Sequence, residues 1–191
     1  MTGATHKLGG ITSGILVVNI IGVQEPIGEA ALIAGALLGS LLPDIDNPRS
    51  SISLKWPLLR MAVSICQGAI RMLTAALPRK LREHVRSLAG HRGISHSPCM
   101  AVFLFLLILL AGKGLHVDTG VLALGLFAGV LSHIFLDMFS GGAPLGMPFT
   151  TKRVTLARIK TGGAVEWIIR SMAVMAIAYK FSGGVLNAIF K

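Results

Sequence analysis

The segment Pro98–Leu115, PCMAVFLFLLILLAGKGL, holds eighteen residues and one charge, Lys113. A helix with no polar face has to be covered on every side, and a lipid hydrocarbon core covers it without help once about 20 residues are available. Further apolar segments fall near residues 8–23, 28–42, 119–139 and 164–190. Inside lipid the backbone must satisfy its own hydrogen bonds, which leaves helices or a closed barrel. Continuous apolar runs, as opposed to strict alternation, select the helix. The expected fold is therefore all-α: a polytopic membrane helical bundle with about five transmembrane helices, forming a single integral membrane domain over residues 1–191. The charged fraction agrees, at 14% where a soluble domain carries roughly 25%.

The flanks refine this picture. The first two segments are short for a span, so their helices should extend into neighbouring polar residues. The last contains Arg170 and Lys180, which must snorkel or face protein. The start does not read as a secretory signal, because Lys7 alone makes its basic region and more apolar segments follow. Two cysteines, Cys66 and Cys99, are too few for a disulfide framework or a thiolate metal cage.

Between these segments lies WPLLRMAVSICQGAIRMLTAAL, residues 56–77, in which Arg60, Ser64, Gln67, Arg71 and Thr74 recur at helical steps. A helix with one polar stripe either lies at the membrane interface or spans with the stripe turned inward. Arg60 and Arg71 leave only ten uncharged residues between them, half a span, which favours an interfacial amphipathic helix. With that helix flat, the loops at 43–97 and 140–163 fall on one side and hold thirteen of the 18 Lys and Arg residues. By the positive-inside rule that side is the cytoplasm.

The same side collects the residues that bind metals. His6 opens the first helix, Asp44 and Asp46 follow the second in LLPDIDNPRSS, and His91 and His96 sit in HRGISHS before the third. His133 and Asp137, four apart in HIFLD, project from one face of the fourth. Pro43 and Pro48 disfavour a continuing helix, so an extended stretch is expected to aim Asp44 and Asp46 the same way. His91 and His96 would diverge by about 140° on a helix, and Gly93 permits a turn that brings them together. Three GxxxG pairs, Gly10–Gly14, Gly35–Gly39 and Gly125–Gly129, let helices approach closely. In the fourth helix that series runs on into His133 and Asp137.

Ionisable groups within an apolar segment are costly and usually functional. His6, Asp44, Asp46, His91, His96, His133 and Asp137 thus form a candidate metal set. Histidine with carboxylate and without cysteine suits zinc, with manganese or iron as alternatives. Seven ligands suggest two or three ions. Asp46 and Arg92 are candidate catalytic groups, Arg92 and the neighbouring Arg49 for developing phosphate charge. Glu166 reads either as an ion pair with Arg170 or as a catalytic group.

These motifs, Thr5–His6, LPDIDNPRS, HRGISHS and HIFLD, resemble the YdjM-type, LexA-regulated inner-membrane metal-dependent hydrolases over nearly the whole chain. That resemblance implies a distant similarity to zinc-dependent phospholipase C and P1-type nucleases, which carry a trinuclear zinc cluster. The chain departs from them in lacking an evident later HxxxE pair. The expectation is a membrane-bound hydrolase of a phosphoester, such as a phospholipid, with its site at the cytoplasmic rim of the inner membrane. Its partners are membrane lipids with anionic head groups and a lipid-borne or small phosphoester substrate. The alternatives are a metal-dependent peptidase or amidase, disfavoured by the absence of HExxH, and a non-catalytic transporter or metal-binding module. Nucleic-acid binding by residues 79–92 ranks low, because no aromatic residue is interleaved there to stack bases.

Overall fold

The structure is a computed structural model that describes residues 1–47, 50, 57–90 and 92–189. Among the described residues it is all-helical, with seven α-helices and no β-strand. They are α1 (Gly3–Ile21), α2 (Pro26–Gly39), α3 (Pro57–Leu73), α4 (Arg79–Leu88), α5 (Pro98–Leu115), α6 (Gly120–Met138) and α7 (Ala164–Ile189). Two 3-10 turns, Leu42–Asp46 and Ile94–His96, lie between them. Proline at the first position pre-sets α2 and α5. Gly22, at φ 68°, ends α1 in the left-handed region that favours glycine. As the short apolar run required, α1 reaches back to Gly3, and His6 lies within it.

Among the described residues, four segments are long and apolar enough to cross a membrane: Gly3–Ile21, Pro26–Asp46, Pro98–Leu115 and Gly120–Met138. The segment expected as a fifth span forms the 26-residue helix α7, which carries Glu166, Arg170 and Lys180 and is not among these four. Lys180 turns to protein rather than snorkelling. Its Nζ lies 3.3 Å from Glu29 and donates to Asn19 Oδ1 at 3.2 Å.

Helix α6 packs against α1, α2 and α5, and α7 lies along α1. Missing Cβ atoms make the closest of these contacts possible. A Cβ on Gly125 would fall on the Leu32 carbonyl, and one on Gly129 on the Ala36 carbonyl. In return, Cβ atoms on Gly35 and Gly39 would strike the backbone of α6 at Leu122 and Leu126. Gly10 and Gly14 seat α1 against Ser40 and Ala36 in the same way. All three GxxxG pairs are helix contacts. α1 and α2 run in opposite directions, as do α5 and α6, so the start of α1, the end of α2, the start of α5 and the end of α6 meet at one end of the bundle.

At that end two local expectations change. Asp44 and Asp46 sit on a 3-10 turn, not an extended stretch, because Pro43 takes the first turn of a tight helix that α2 leads into. The amphipathic helix α3 forms, but its polar stripe is engaged rather than turned wholly to water. Gln67 Nε2 donates to the Asp46 carbonyl at 2.7 Å, and buried Thr74 accepts from Arg86 of α4 at 3.0 Å. Its apolar face, Leu58, Met61, Ile65 and Met72, is exposed.

Candidate metal centre

His133 is fully buried on α6. Its Nδ1 lies 2.7 Å from the Ser40 carbonyl oxygen. A carbonyl only accepts, so Nδ1 carries the proton and Nε2 presents a bare lone pair. That Nε2 is buried without a hydrogen-bond partner. It faces Asp44 Oδ1 and Asp137 Oδ2, each at 3.8 Å.

His96, also fully buried, is oriented by a side chain behind its ring. Ser95 Oγ donates to Asp46 Oδ2 in a short hydrogen bond and lies 3.0 Å from His96 Nδ1. Having given its proton to Asp46, the hydroxyl accepts from Nδ1–H, and the His96 Nε2 lone pair turns inward. It lies 3.6 Å from Asp44 Oδ1 and 3.6 Å from Asp137 Oδ2.

With the rings in these tautomers, two imidazole nitrogens and two carboxylate oxygens face one another across 3.6 to 3.8 Å. Acceptors repel at that spacing, and a cation among them converts repulsion into ligation. Donors about 2.1 Å from a tetrahedral ion lie roughly 3.4 Å apart, close to the separations here. Asp44, His96 and His133 form one group of convergent donors suited to a divalent ion, with Asp137 Oδ2 beside both rings. Of the four, Asp44 is the most open, at 27% side-chain exposure, so the centre is reached from its side.

His6 adjoins this pocket. Its ring stacks on His133 with centroids 3.8 Å apart, and its Nε2 lies 3.6 Å from Asp137 Oδ1. With His133 and Asp137 it forms a second group of convergent donors. Asp137 thus offers one oxygen to each position, as a bridging carboxylate does. Arg92 donates to that same Oδ1 at 3.0 Å.

Sequence reasoning gathered His6, Asp44, His96, His133, Asp137 and Arg92, and the structure brings these six together. His91 and Arg49 lie outside the described residues. Asp46 is placed differently from the expectation of a metal ligand. Because the 3-10 turn splays the two aspartates, Asp44 meets Nε2 of His96 while Asp46 stands 3.8 Å from Nδ1, behind the ring. Its carboxylate reaches His96 through Ser95. Glu166 is not a free catalytic group. Thr5 and Thr2 hydroxyls and the Thr2 amide all donate to its Oε1, and Gly162 N donates to Oε2 at 2.7 Å. Nor does it pair with Arg170, whose guanidinium lies over Trp167 at 5.6 Å. Glu166 ties the start of α7 to the start of α1. Beside it, the Met1 amino group donates to Ser140 Oγ at 2.8 Å, and burial pushes its pKa down.

The profile of the family described as YdjM inner membrane protein matches residues 1–190. The chain belongs to the YdjM inner membrane protein family. The Uncharacterized protein YvsG of Bacillus subtilis (strain 168) is 30% identical over 182 residues, covering 95% of this chain and 94% of the relative. The Inner membrane protein YdjM of Escherichia coli (strain K12) is 31% identical over 122 residues, 61% of this chain and 49% of that protein. No solved structure matches.

Three residues around the centre of this YdjM-family protein escaped sequence reasoning. Ser40 acts through its carbonyl, which no side-chain pattern reveals. Ser95 was in view inside HRGISHS but carries no signal of its own. Gly141 seats Arg92, which adopts φ 60°, a left-handed conformation for a non-glycine residue. A Cβ at Gly141 would run into the Arg92 guanidinium. Gly141→Ala is thus expected to cost the Arg92–Asp137 contact. Its metal content should remain at the wild-type level, because the three atoms nearest that Cβ position all belong to Arg92. Ser95→Ala should instead weaken metal affinity by about 10- to 100-fold, the usual cost of losing an orienting partner. Competition with a metallochromic chelator measures both.

Proposed function

We propose that this protein is a membrane-bound, metal-dependent hydrolase of a phosphoester, acting at head-group depth on the cytoplasmic face of the inner membrane. The observation that carries the reading is the buried His133 Nε2 lone pair, fixed by Ser40 and facing two carboxylates. Two imidazoles and two carboxylates without thiolate favour zinc, with manganese or iron as alternatives. Asp44, His96 and His133 would hold a first ion, and His6 with Asp137 would begin the position of a second. Such ions supply a water acidic enough to deprotonate near neutral pH and a Lewis acid for a phosphoryl oxygen.

The chain's own residues do the rest. Arg92, one-fifth exposed and anchored on Asp137, places a guanidinium at the edge of the centre, where it can bind phosphoryl oxygens and the charge they gain. The Asp46–Ser95–His96 relay keeps the imidazole in its ligating tautomer. Burial of His96, His133 and Asp137 keeps bulk water from these electrostatic contacts. Ligation from one end of the bundle supports a surface enzyme over a transporter, which needs polar groups along a path through the membrane. The basic loops at 43–97 and 140–163 support the cytoplasmic placement.

Chelation tests the reading. EDTA should abolish hydrolysis of a fluorogenic phosphodiester or a phospholipid by the purified protein, and Zn²⁺ or Mn²⁺ should restore it. Turnover that ignores EDTA, or protein purified and reconstituted without bound metal, would overturn it.

A further inference from the structure

A cavity of about 380 Å³ opens beside the metal centre, between α3, α4 and the turn Leu42–Asp46. Its walls include Asp46, Gln67, Ile70, Arg71, Arg86 and Gly90. Arg86 is fixed there, donating from Nε to Thr74 Oγ1 at 3.0 Å and from Nη2 to the Arg71 carbonyl at 2.9 Å. Neither Arg71 nor Arg86 has a carboxylate partner among the described residues. The one acid lining the cavity, Asp46, gives Oδ2 to Ser95 and stands behind the metal ligand His96.

Two guanidiniums on the walls of one cavity, without a carboxylate to neutralise them, attract an anion, and their fork geometry suits phosphate. The exposed apolar face of α3 sets the cavity at the level where a lipid surface meets water. We propose that this cavity is a phosphate subsite, in which Arg71 and Arg86 hold a phosphate-bearing group of the substrate while Asp46 marks its border with the metal centre. The subsite rests on the phosphoester reading and narrows it to substrates with an anionic phosphate group beyond the reacting bond. That group comes either from a lipid head group or from a soluble phosphoester.

Calorimetric titration of the purified full-length protein in nonionic detergent, with and without EDTA, tests the subsite. The probes are inorganic phosphate and monomeric dihexanoyl phosphatidic acid. Both should bind the EDTA-treated protein, and Arg71→Gln should weaken each at least tenfold. Arg71 is the residue to replace, since only its backbone carbonyl holds Arg86. Arg82→Gln, on the same hairpin but outside the cavity, should leave both affinities within twofold. Tighter binding of the lipid probe supports a head-group source, and equal binding supports a soluble one. Affinities that ignore Arg71→Gln, or that fall equally with Arg82→Gln, overturn the subsite. The two readings fail separately. Metal-bearing protein with Arg71-independent binding loses the subsite alone, and metal-free protein with Arg71-dependent binding loses the hydrolase alone.

Discussion

His133→Ala is expected to empty the metal centre while leaving a folded bundle. The imidazole supplies one of four donors in the pocket, and its ring is the surface on which His6 stacks. Losing an orienting neighbour alone costs 10- to 100-fold in affinity, so losing a ligand should cost more than a hundredfold and bring hydrolysis down with it. Thermal melts give the sharper readout. In wild type an ion present at about 1,000 times its Kd adds roughly 4 kcal/mol to the folded state, so adding metal to stripped protein should raise Tm by several degrees. The variant should show no such rise. Metal-free, the comparison has two opposing parts. A cavity where the ring stood is destabilising, while removing a lone pair from between two carboxylates relieves repulsion. Stripped wild type and stripped variant should therefore melt close together. Equal metal content in the two proteins, or equal metal-induced shifts, removes the centre.

How far the sequence carried this site depends on the kind of information each residue holds. Hydropathy placed the helices because a membrane span is defined by length and polarity alone, and α5 begins and ends where its apolar run does. His133 and Asp137 were legible because their spacing of four is a property of one helix. The convergence of His6, Asp44 and His96 with them followed from alternating helix direction, which turns distant positions into one end of a bundle. The orientation of Asp46 was not legible. Whether residues after Pro43 run extended or close into a 3-10 turn depends on how α2 stops against α6. A turn of that kind sends i and i+2 to different sides of His96. Glu166 misled for a related reason: its spacing from Arg170 matches an ion pair, but Thr2, Thr5 and Gly162 reach it from other parts of the chain. Tertiary donors outcompete a surface pair worth only about 0.2–0.5 kcal/mol.

Gly129→Val should be more damaging still, although glycine binds nothing. The position where its Cβ would stand is occupied by the Ala36 carbonyl, so a valine has to push α2 off α6. Forcing methyl groups into a close contact typically costs 1–3 kcal/mol, and here the obstacle is backbone, which has no rotamer to yield. The displaced helix carries the Ser40 carbonyl that fixes His133, 2.7 Å away, and leads directly into the turn bearing Asp44. A shift of one ångström at Ala36 takes that hydrogen bond past the range in which it holds a tautomer. One substitution two turns from Asp137 should thus lower both Tm and metal content, with the Tm of stripped protein falling below that of stripped His133→Ala. Gly114→Ala on α5 is the control: nothing lies within 4 Å of a Cβ there, and alanine should leave stability unchanged or raise it by up to about 1 kcal/mol. If Gly129→Val instead melts and binds metal like wild type, the glycine seam does not set the spacing of the ligands, and the coupling of helix packing to the centre is lost with it.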